Sequence, residues 1–168
     1  TQNHFKKVLF SNDKFEPIET KEPNAIIINE GIARGVLKGG NLRMIVSTLG
    51  TPYEPNLDDS ILFLEDVSEP AYKVDRMLSQ LLLSGKLNKC RGIIFGQFDN
   101  LNSRQPFHPG YSFTIKEVIQ QLLGNLKIPI LINMPFGHVK DKLTLPLGIL
   151  SEIDTNNQSI SILERSVI

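Results

Sequence analysis

The chain has 168 residues, a length that fits one compact domain and is short for two. Hydrophobic residues make up 40% and charged residues 21% of the sequence, which excludes a mainly disordered chain. Basic and acidic residues both number 18, so charge gives no reason to expect nucleic acid or a membrane as a partner. A single cysteine, Cys90, excludes an internal disulfide and a thiolate metal cluster.

The start of the sequence is unusual, because the first residue is Thr1 and no signal-peptide pattern follows it. We therefore expect this chain to be a part of a longer protein, and a segment upstream of Thr1 could carry a signal peptide. The longest apolar runs, at 25–28 and 128–132, are too short to span a bilayer.

Residues 1–24 are polar, contain two prolines and lack sustained periodicity, which predicts a lead-in or interdomain linker before a folded domain at 25–168. Two short apolar runs follow, at 25–29 and 31–37. Because only Glu30 separates them, we expect these runs to form a pair of neighbouring strands.

The rest of the chain alternates between helix and buried-strand patterns. From Asn41, a suitable N-cap, apolar residues recur at helical spacing until Gly50. A continuous apolar run at 60–64 predicts a strand that is buried on both faces and ends at Glu65. The later predicted elements are a helix between Pro70 and Gly85, a strand at 92–98, a loop at 99–110, a helix with a Thr114–Glu117 capping box, a strand at 128–132, a loop at 133–142 and a hairpin of 147–153 with 159–163. This order indicates a mixed α/β fold with β pairs at both ends.

Glu65 and His138 are the candidate catalytic residues, because each follows a predicted buried strand. In α/β sheets, chemistry concentrates at the carboxyl ends of the strands. A carboxylate that bonds one imidazole nitrogen fixes the tautomer and stabilises the cation formed at the other nitrogen. From the pattern alone, a helix-capping glutamate and a loop histidine are the favoured interpretation of these positions.

Six segments resemble the LD-carboxypeptidase family when they are taken together and in order. They are 37–42, 49–53, 61–67, 72–78, 92–98, and Gly137-His138 followed by 145–148. The resemblance is to the carboxyl-terminal domain of these murein tetrapeptide carboxypeptidases, a family that includes the microcin C self-immunity peptidases. It runs from about Glu30 to about Ile162, and it implies a swivelling β/β/α-type domain with a mixed, mainly parallel sheet and flanking helices.

The resemblance also implies an activity. In this family an amino-terminal domain carries a serine nucleophile, and the carboxyl-terminal domain carries the glutamate and histidine of a Ser-Glu-His triad. Glu65 and His138 match those two residues by motif. The implied enzyme is a cytoplasmic, homodimeric serine peptidase without a cofactor, which removes the terminal D-alanine from peptidoglycan tetrapeptides in cell-wall recycling.

The sequence departs from this pattern because the nucleophile domain is absent. Gly110-Tyr111-Ser112 superficially resembles a nucleophile elbow, but a loop at 105–109 precedes it where an elbow needs a buried strand. We therefore interpret Ser112 as a helix-start residue, and we expect this chain to hold half of an active site.

Three alternatives stay open at this stage. The enzyme could cleave an acyl-sulfamoyl nucleotide amide, as immunity peptidases do, or the isolated domain could be a non-catalytic dimerisation or binding module. The third substrate residue could be lysine or diaminopimelate.

Several other polar residues have simpler interpretations. Gly39-Gly40 could serve a tight turn or the approach of a ligand. Asp75 and Arg76 favour a structural ion pair or a dimer contact, and no histidine has a partner at metal-ligand spacing.

Overall fold

The structure, a computed structural model, describes residues 2–10, 17–98 and 113–166. Within these ranges, eight strands form one mixed sheet in the order β1-β8-β7-β3-β4-β5-β6-β2. The strands are β1 (Ile18–Lys21), β2 (Ile26–Asn29), β3 (Ile32–Asn41), β4 (Ser60–Glu65), β5 (Gly92–Gly96), β6 (Ile130–Met134), β7 (Leu150–Asp154) and β8 (Ser159–Ile162). The helices are α1 (Gln2–Phe10), α2 (Leu42–Ser47), α3 (Ala71–Leu83) and α4 (Ile115–Leu123). The predicted loop at 99–110 and Ser112 lie outside the described residues.

Strands β3 to β6 run parallel to one another and form what we call the parallel centre. Alternate residues of β4 enter two hydrophobic clusters: Leu62 and Leu64 pack with α2, α3 and α4, whereas Ile61 and Phe63 pack on the opposite face. Because both faces are covered, β4 is a continuous apolar run, as the sequence predicts.

The predicted helices are confirmed together with their caps. The Asn41 side chain accepts a hydrogen bond from the Met44 N–H at the start of α2. At α4, Thr114 and Glu117 form a reciprocal capping box. None of the helices in the described part of the chain is long and apolar enough to cross a membrane.

Strands β7, β8 and β1 form what we call the antiparallel wing. Its β7–β8 hairpin confirms the predicted one, and Gln158 in its turn adopts a left-handed backbone at φ 49°. Strand β1 lies in the segment that the sequence predicts as a lead-in, and it pairs with β8, so the sheet begins before residue 25. A linker role for residues 1–24 stays a prediction.

The predicted pairing of the runs at 25–29 and 31–37 is wrong. Strand β2 pairs with β6 at one edge of the sheet, whereas β3 pairs with β4 and β7. Only Glu30 and Gly31 link β2 to β3, so the sheet curls enough to bring the two strand ends together. The open edge of β6 offers β2 buried apolar partners, such as Ile132 opposite Ile26, that a local strand pair would lack.

Candidate active site

The loop after β6 crosses the end of β5 and delivers His138 to the end of β4. A glycine allows this crossing, because a Cβ at Gly96 would lie 2.6 Å from the Phe136 carbonyl oxygen. The same carbonyl accepts a hydrogen bond of 3.3 Å from the Gln97 N–H. The Phe136 ring packs edge-on against Phe63 of β4, with 5.7 Å between the ring centroids. These contacts fix the direction in which the loop leaves the sheet.

The structure brings the two predicted catalytic residues together. The distance between His138 Nδ1 and Glu65 Oε2 is 2.7 Å. The Glu65 side chain is 13% exposed and the His138 side chain 57% exposed, so a sheltered carboxylate holds an accessible imidazole. Gly137 adopts φ 96°, and a Cβ there would lie 3.1 Å from Glu65 Oε2. A side chain at this position would therefore crowd the pair as well as strain the backbone.

Glu65 projects on the face of the sheet opposite the helices, because it shares the strand alternation of Ile61 and Phe63. There it lines an open cleft of about 270 Å³ together with apolar side chains and two glycines. The complete lining is Gly40, Phe63, Glu65, Phe136, Gly137, His138, Leu143 and Leu145. None of the described residues that line the cleft has a hydroxyl or thiol group.

The glycine pair at the end of β3 serves two different needs. A Cβ at Gly39 would lie 1.8 Å from the Phe63 carbonyl oxygen, so packing of β3 on β4 requires glycine there. A Cβ at Gly40 would meet no atom within 4 Å, and Gly40 lines the cleft. Gly40 thus leaves its backbone accessible to a bound molecule, whereas Gly39 is structural.

Asp66 is a buried residue whose role sequence reasoning missed. It is 4% exposed and accepts hydrogen bonds from the Arg43 N–H, the Val67 N–H and the Asn41 side-chain amide. These bonds fasten the start of α2 to the turn after Glu65, and the negative charge suits the helix N-terminus. The Glu65-Asp66 pair at the end of a buried strand is the signal in the sequence that could have indicated it.

The arrangement can act as a general base. With Nδ1 bonded to Glu65, the His138 imidazole exchanges its proton at Nε2, and the carboxylate stabilises the imidazolium that forms. Among the residues that the structure describes, no cluster of three or more histidine, cysteine, aspartate or glutamate side chains could hold a metal ion.

A family model described as the LD-carboxypeptidase C-terminal domain matches residues 34–153. The chain belongs to the LD-carboxypeptidase family. Solved structures of this family have the same α/β fold. The crystal structure of a muramoyltetrapeptide carboxypeptidase from Oxalobacter formigenes aligns with a TM-score of 0.78 at 32% identity, over 96% of this chain and 53% of that one.

Two curated relatives of the family differ in what their names say they do. The "Probable murein peptide carboxypeptidase" of Bacillus subtilis is 34% identical over 89% of this chain and 46% of that protein. The microcin C7 self-immunity protein MccF of Escherichia coli is 31% identical over 92% of this chain and 44% of that protein. The chain therefore spans about half the length of the curated relatives it matches.

The other predicted residues of interest have ordinary partners. Asp75 accepts a hydrogen bond from Ser79, and the Arg76 guanidinium lies 5.6 Å from the centre of the Tyr72 ring. Cys90 is buried, and desolvation raises the pKa of its thiol to about 11, in agreement with an unreactive packing role. His4 contacts Thr20 and the Thr144 N–H, whereas His108 lies outside the described residues.

Proposed function

We propose that this chain is the carboxyl-terminal domain of a serine LD-carboxypeptidase that removes the terminal D-alanine from peptidoglycan tetrapeptides in cell-wall recycling. Glu65 and His138 supply two members of a Ser-Glu-His triad. The serine and the oxyanion hole belong to an amino-terminal domain outside this chain. On this proposal the protein works in the cytoplasm as a homodimer and needs no cofactor.

In the proposed reaction, His138 Nε2 takes the proton of the serine hydroxyl as the oxygen attacks the carbonyl before D-alanine. The imidazolium then gives that proton to the leaving amine, and an acyl-enzyme remains. Water attacks the acyl-enzyme with His138 again as the base, which releases the shortened peptide and restores the serine. Throughout, Glu65 orients the ring and stabilises its charged form.

The observation that carries this proposal is the 2.7 Å contact between His138 Nδ1 and Glu65 Oε2 at an open cleft. The two residues follow different strands and meet across the end of β5. The loop after β6, which carries His138, is held there by its contacts with Gly96 and through Phe136. The family membership supports the same chemistry, and the absence of a hydroxyl in the described lining of the cleft supports a nucleophile from elsewhere.

The test compares this chain with the longer protein that contains it and the proposed nucleophile domain. We expect the longer protein to release D-alanine from a muropeptide tetrapeptide, measured by chromatography, and this chain alone to release none. Turnover by this chain alone that is abolished by Ser112→Ala would overturn the proposal of a separate nucleophile domain.

A second substrate class is favoured by the likeness to the self-immunity protein. A structure of MccF in complex with glutamyl sulfamoyl guanosine aligns with a TM-score of 0.73 at 31% identity. The longer protein should therefore be given a tetrapeptide and an acyl-sulfamoyl adenylate side by side. Faster hydrolysis of the adenylate would assign the chain to the immunity type, with the same roles for Glu65 and His138.

A further inference from the structure

One side of the cleft is formed by residues 143–145, which we call the cleft wall and which belong to neither a helix nor a strand. The side chains of Leu143 and Leu145 line the cleft and pack against the hydrophobic cluster on that face of the sheet. The Leu143 N–H donates a hydrogen bond of 2.7 Å to the carbonyl oxygen of Pro135. The cleft wall is thus joined to the beginning of the loop that carries His138.

The middle of the cleft wall is held from the other end of the chain. The Thr144 N–H donates a hydrogen bond of 3.2 Å to Nδ1 of His4, a residue of α1 that lies 140 positions away in the sequence. A segment outside helices and strands lacks a ladder of backbone hydrogen bonds, so a single bond of this kind does much to decide where the segment lies. His4 is therefore an anchor of the cleft wall.

Helix α1 is itself held by contacts away from the cleft. Val8 is 3% exposed, and its carbonyl oxygen accepts a hydrogen bond from the Ser166 hydroxyl. On the neighbouring turn of the helix, His4 Nε2 lies 3.4 Å from Oγ1 of Thr20 in β1. These contacts hold α1 on the antiparallel wing, so His4 is a fixed point against which the cleft wall can be positioned.

The bond from Thr144 requires a neutral His4, because an imidazolium ring has no nitrogen that can accept. Burial, followed by the positive charges of the terminal ammonium and of Lys7, lowers the pKa of His4 below its usual value. The ring is therefore neutral near pH 7, with Nδ1 as the acceptor and the proton on Nε2, which faces Thr20.

We propose that His4 is a positioning residue of the active site, which holds the cleft wall where Leu143 and Leu145 contact the substrate. This proposal rests on the proposed function. The two leucines offer apolar surface to the peptide both in the ground state and in the transition state, whereas the Glu65–His138 pair keeps its own contacts at the end of β5. Loss of the His4 bond should therefore weaken substrate binding more than it slows the chemical step.

The test compares His4→Leu and His4→Asn with the wild type in the longer protein. His4→Leu removes the acceptor, whereas His4→Asn keeps one at the same δ position, in its Oδ1 atom. With a muropeptide tetrapeptide as substrate, we expect KM to rise about fivefold or more in His4→Leu, the size expected for one hydrogen bond, and kcat to stay within about twofold. His4→Asn should return KM to within about twofold of wild type.

Asn3→Leu is the matched control, because it places a leucine at the neighbouring, exposed position of α1. It should keep the wild-type KM. Thermal unfolding is measured for each variant, and if His4→Leu does not fold, His4→Ala removes the same acceptor in its place. A wild-type KM in the variant without the acceptor, an equal rise in Asn3→Leu, or a failure of His4→Asn to restore KM would overturn the positioning role.

Amide hydrogen exchange at Thr144 separates this proposal from the proposed function, because it needs no substrate. In this chain, we expect that amide to exchange about fivefold or more faster in His4→Leu than in wild type, and near the wild-type rate in His4→Asn. If the exchange responds in this way but the longer protein cleaves no tetrapeptide, the anchoring by His4 stands and the proposed reaction fails.

The remaining outcomes are equally decisive. If the longer protein cleaves tetrapeptides but KM does not respond to His4→Leu, the reaction stands and the positioning role fails, whether or not the exchange at Thr144 changes. If the protein cleaves no tetrapeptide and the exchange is the same in all variants, both proposals fail.

Discussion

The parallel centre and the antiparallel wing belong to one sheet, yet they contribute differently to the molecule. In the centre, β4 and β5 are buried on both faces, and the ends of β3 and β4 together with the loop after β6 carry the residues of the cleft. In the wing, β7 and β1 alternate between more and less buried residues, and Ile153 and Ile160 pack on the face of β4 that carries Glu65. The antiparallel wing thus packs against the strand that carries Glu65, whereas the strand ends of the parallel centre form the cleft.

This difference has a physical origin. Parallel strands end at the same edge, so the polar groups that follow them converge without further specification. Antiparallel neighbours reverse direction at each hairpin, and their polar groups are distributed over both ends of the sheet. Substitutions at the strand ends of the centre should therefore reduce catalysis more than stability, and substitutions in the wing should do the reverse.

The largest expected effect is that of His138→Ala. We expect the longer protein to lose at least about 10³-fold in kcat, because the proposed general base is removed. The free energy of unfolding should change by less than about 0.5 kcal/mol, because the histidine is largely exposed. D-alanine release and urea unfolding measure the two quantities.

Lys140→Ala is the control for His138→Ala, since Lys140 is an exposed residue of the same loop and does not line the cleft. It should leave both quantities near their wild-type values. Retained turnover in His138→Ala would instead favour a non-catalytic binding module.

The next effect belongs to the wing. Ile153→Ala removes a fully buried side chain from β7 and should lower the free energy of unfolding by about 2–5 kcal/mol. The milder Ile153→Val should cost about 0.5–1.5 kcal/mol. Per folded molecule, kcat should stay within about twofold of wild type, because Ile153 does not line the cleft. A loss of kcat that parallels His138→Ala would contradict the division between wing and centre.

The sequence predicts the parallel centre better than the antiparallel wing, because the patterns of the centre are local. The strands that begin near residues 60 and 92 are continuous apolar runs, and the caps at Asn41 and Thr114 are local interactions, so each can be recognised in isolation. The meeting of Glu65 with His138 follows from the shared direction of parallel strands and from the family motifs.

Long-range partners could not be predicted in this way. The pattern of β2 indicates a strand, but nothing in its residues specifies that β6 rather than β3 is its neighbour. Strand β1 is four residues long, and its burial depends on β8, which lies at the other end of the chain. The ion pair of Arg43 with Glu69 could not be predicted either, because Arg43 meets Glu69 only after α2 has packed beside α3.

The last prediction concerns Gly96, a backbone position that bears on both stability and catalysis. Gly96→Ala places a methyl group 2.6 Å from the Phe136 carbonyl oxygen, so the loop that carries His138 has to shift. We expect a loss of about 1–3 kcal/mol in the free energy of unfolding, typical of overpacking, and a loss of roughly tenfold or more in kcat as the imidazole moves away from Glu65. The matched control is Gly85→Ala, whose added methyl group meets no atom within 4 Å but whose φ of 73° strains any side chain.

Gly85→Ala should therefore lose stability through its backbone alone and keep its kcat, since Gly85 closes α3 far along the chain from the loop at 135–141. Both variants replace glycine by alanine at a similar cost in stability. The expected difference between them is that only Gly96→Ala displaces the loop that carries His138. If Gly96→Ala keeps wild-type kcat at an equal loss of stability, the crossing of β5 is merely a packing feature. If kcat falls only in Gly96→Ala, the end of β5 sets the geometry of the Glu65–His138 pair.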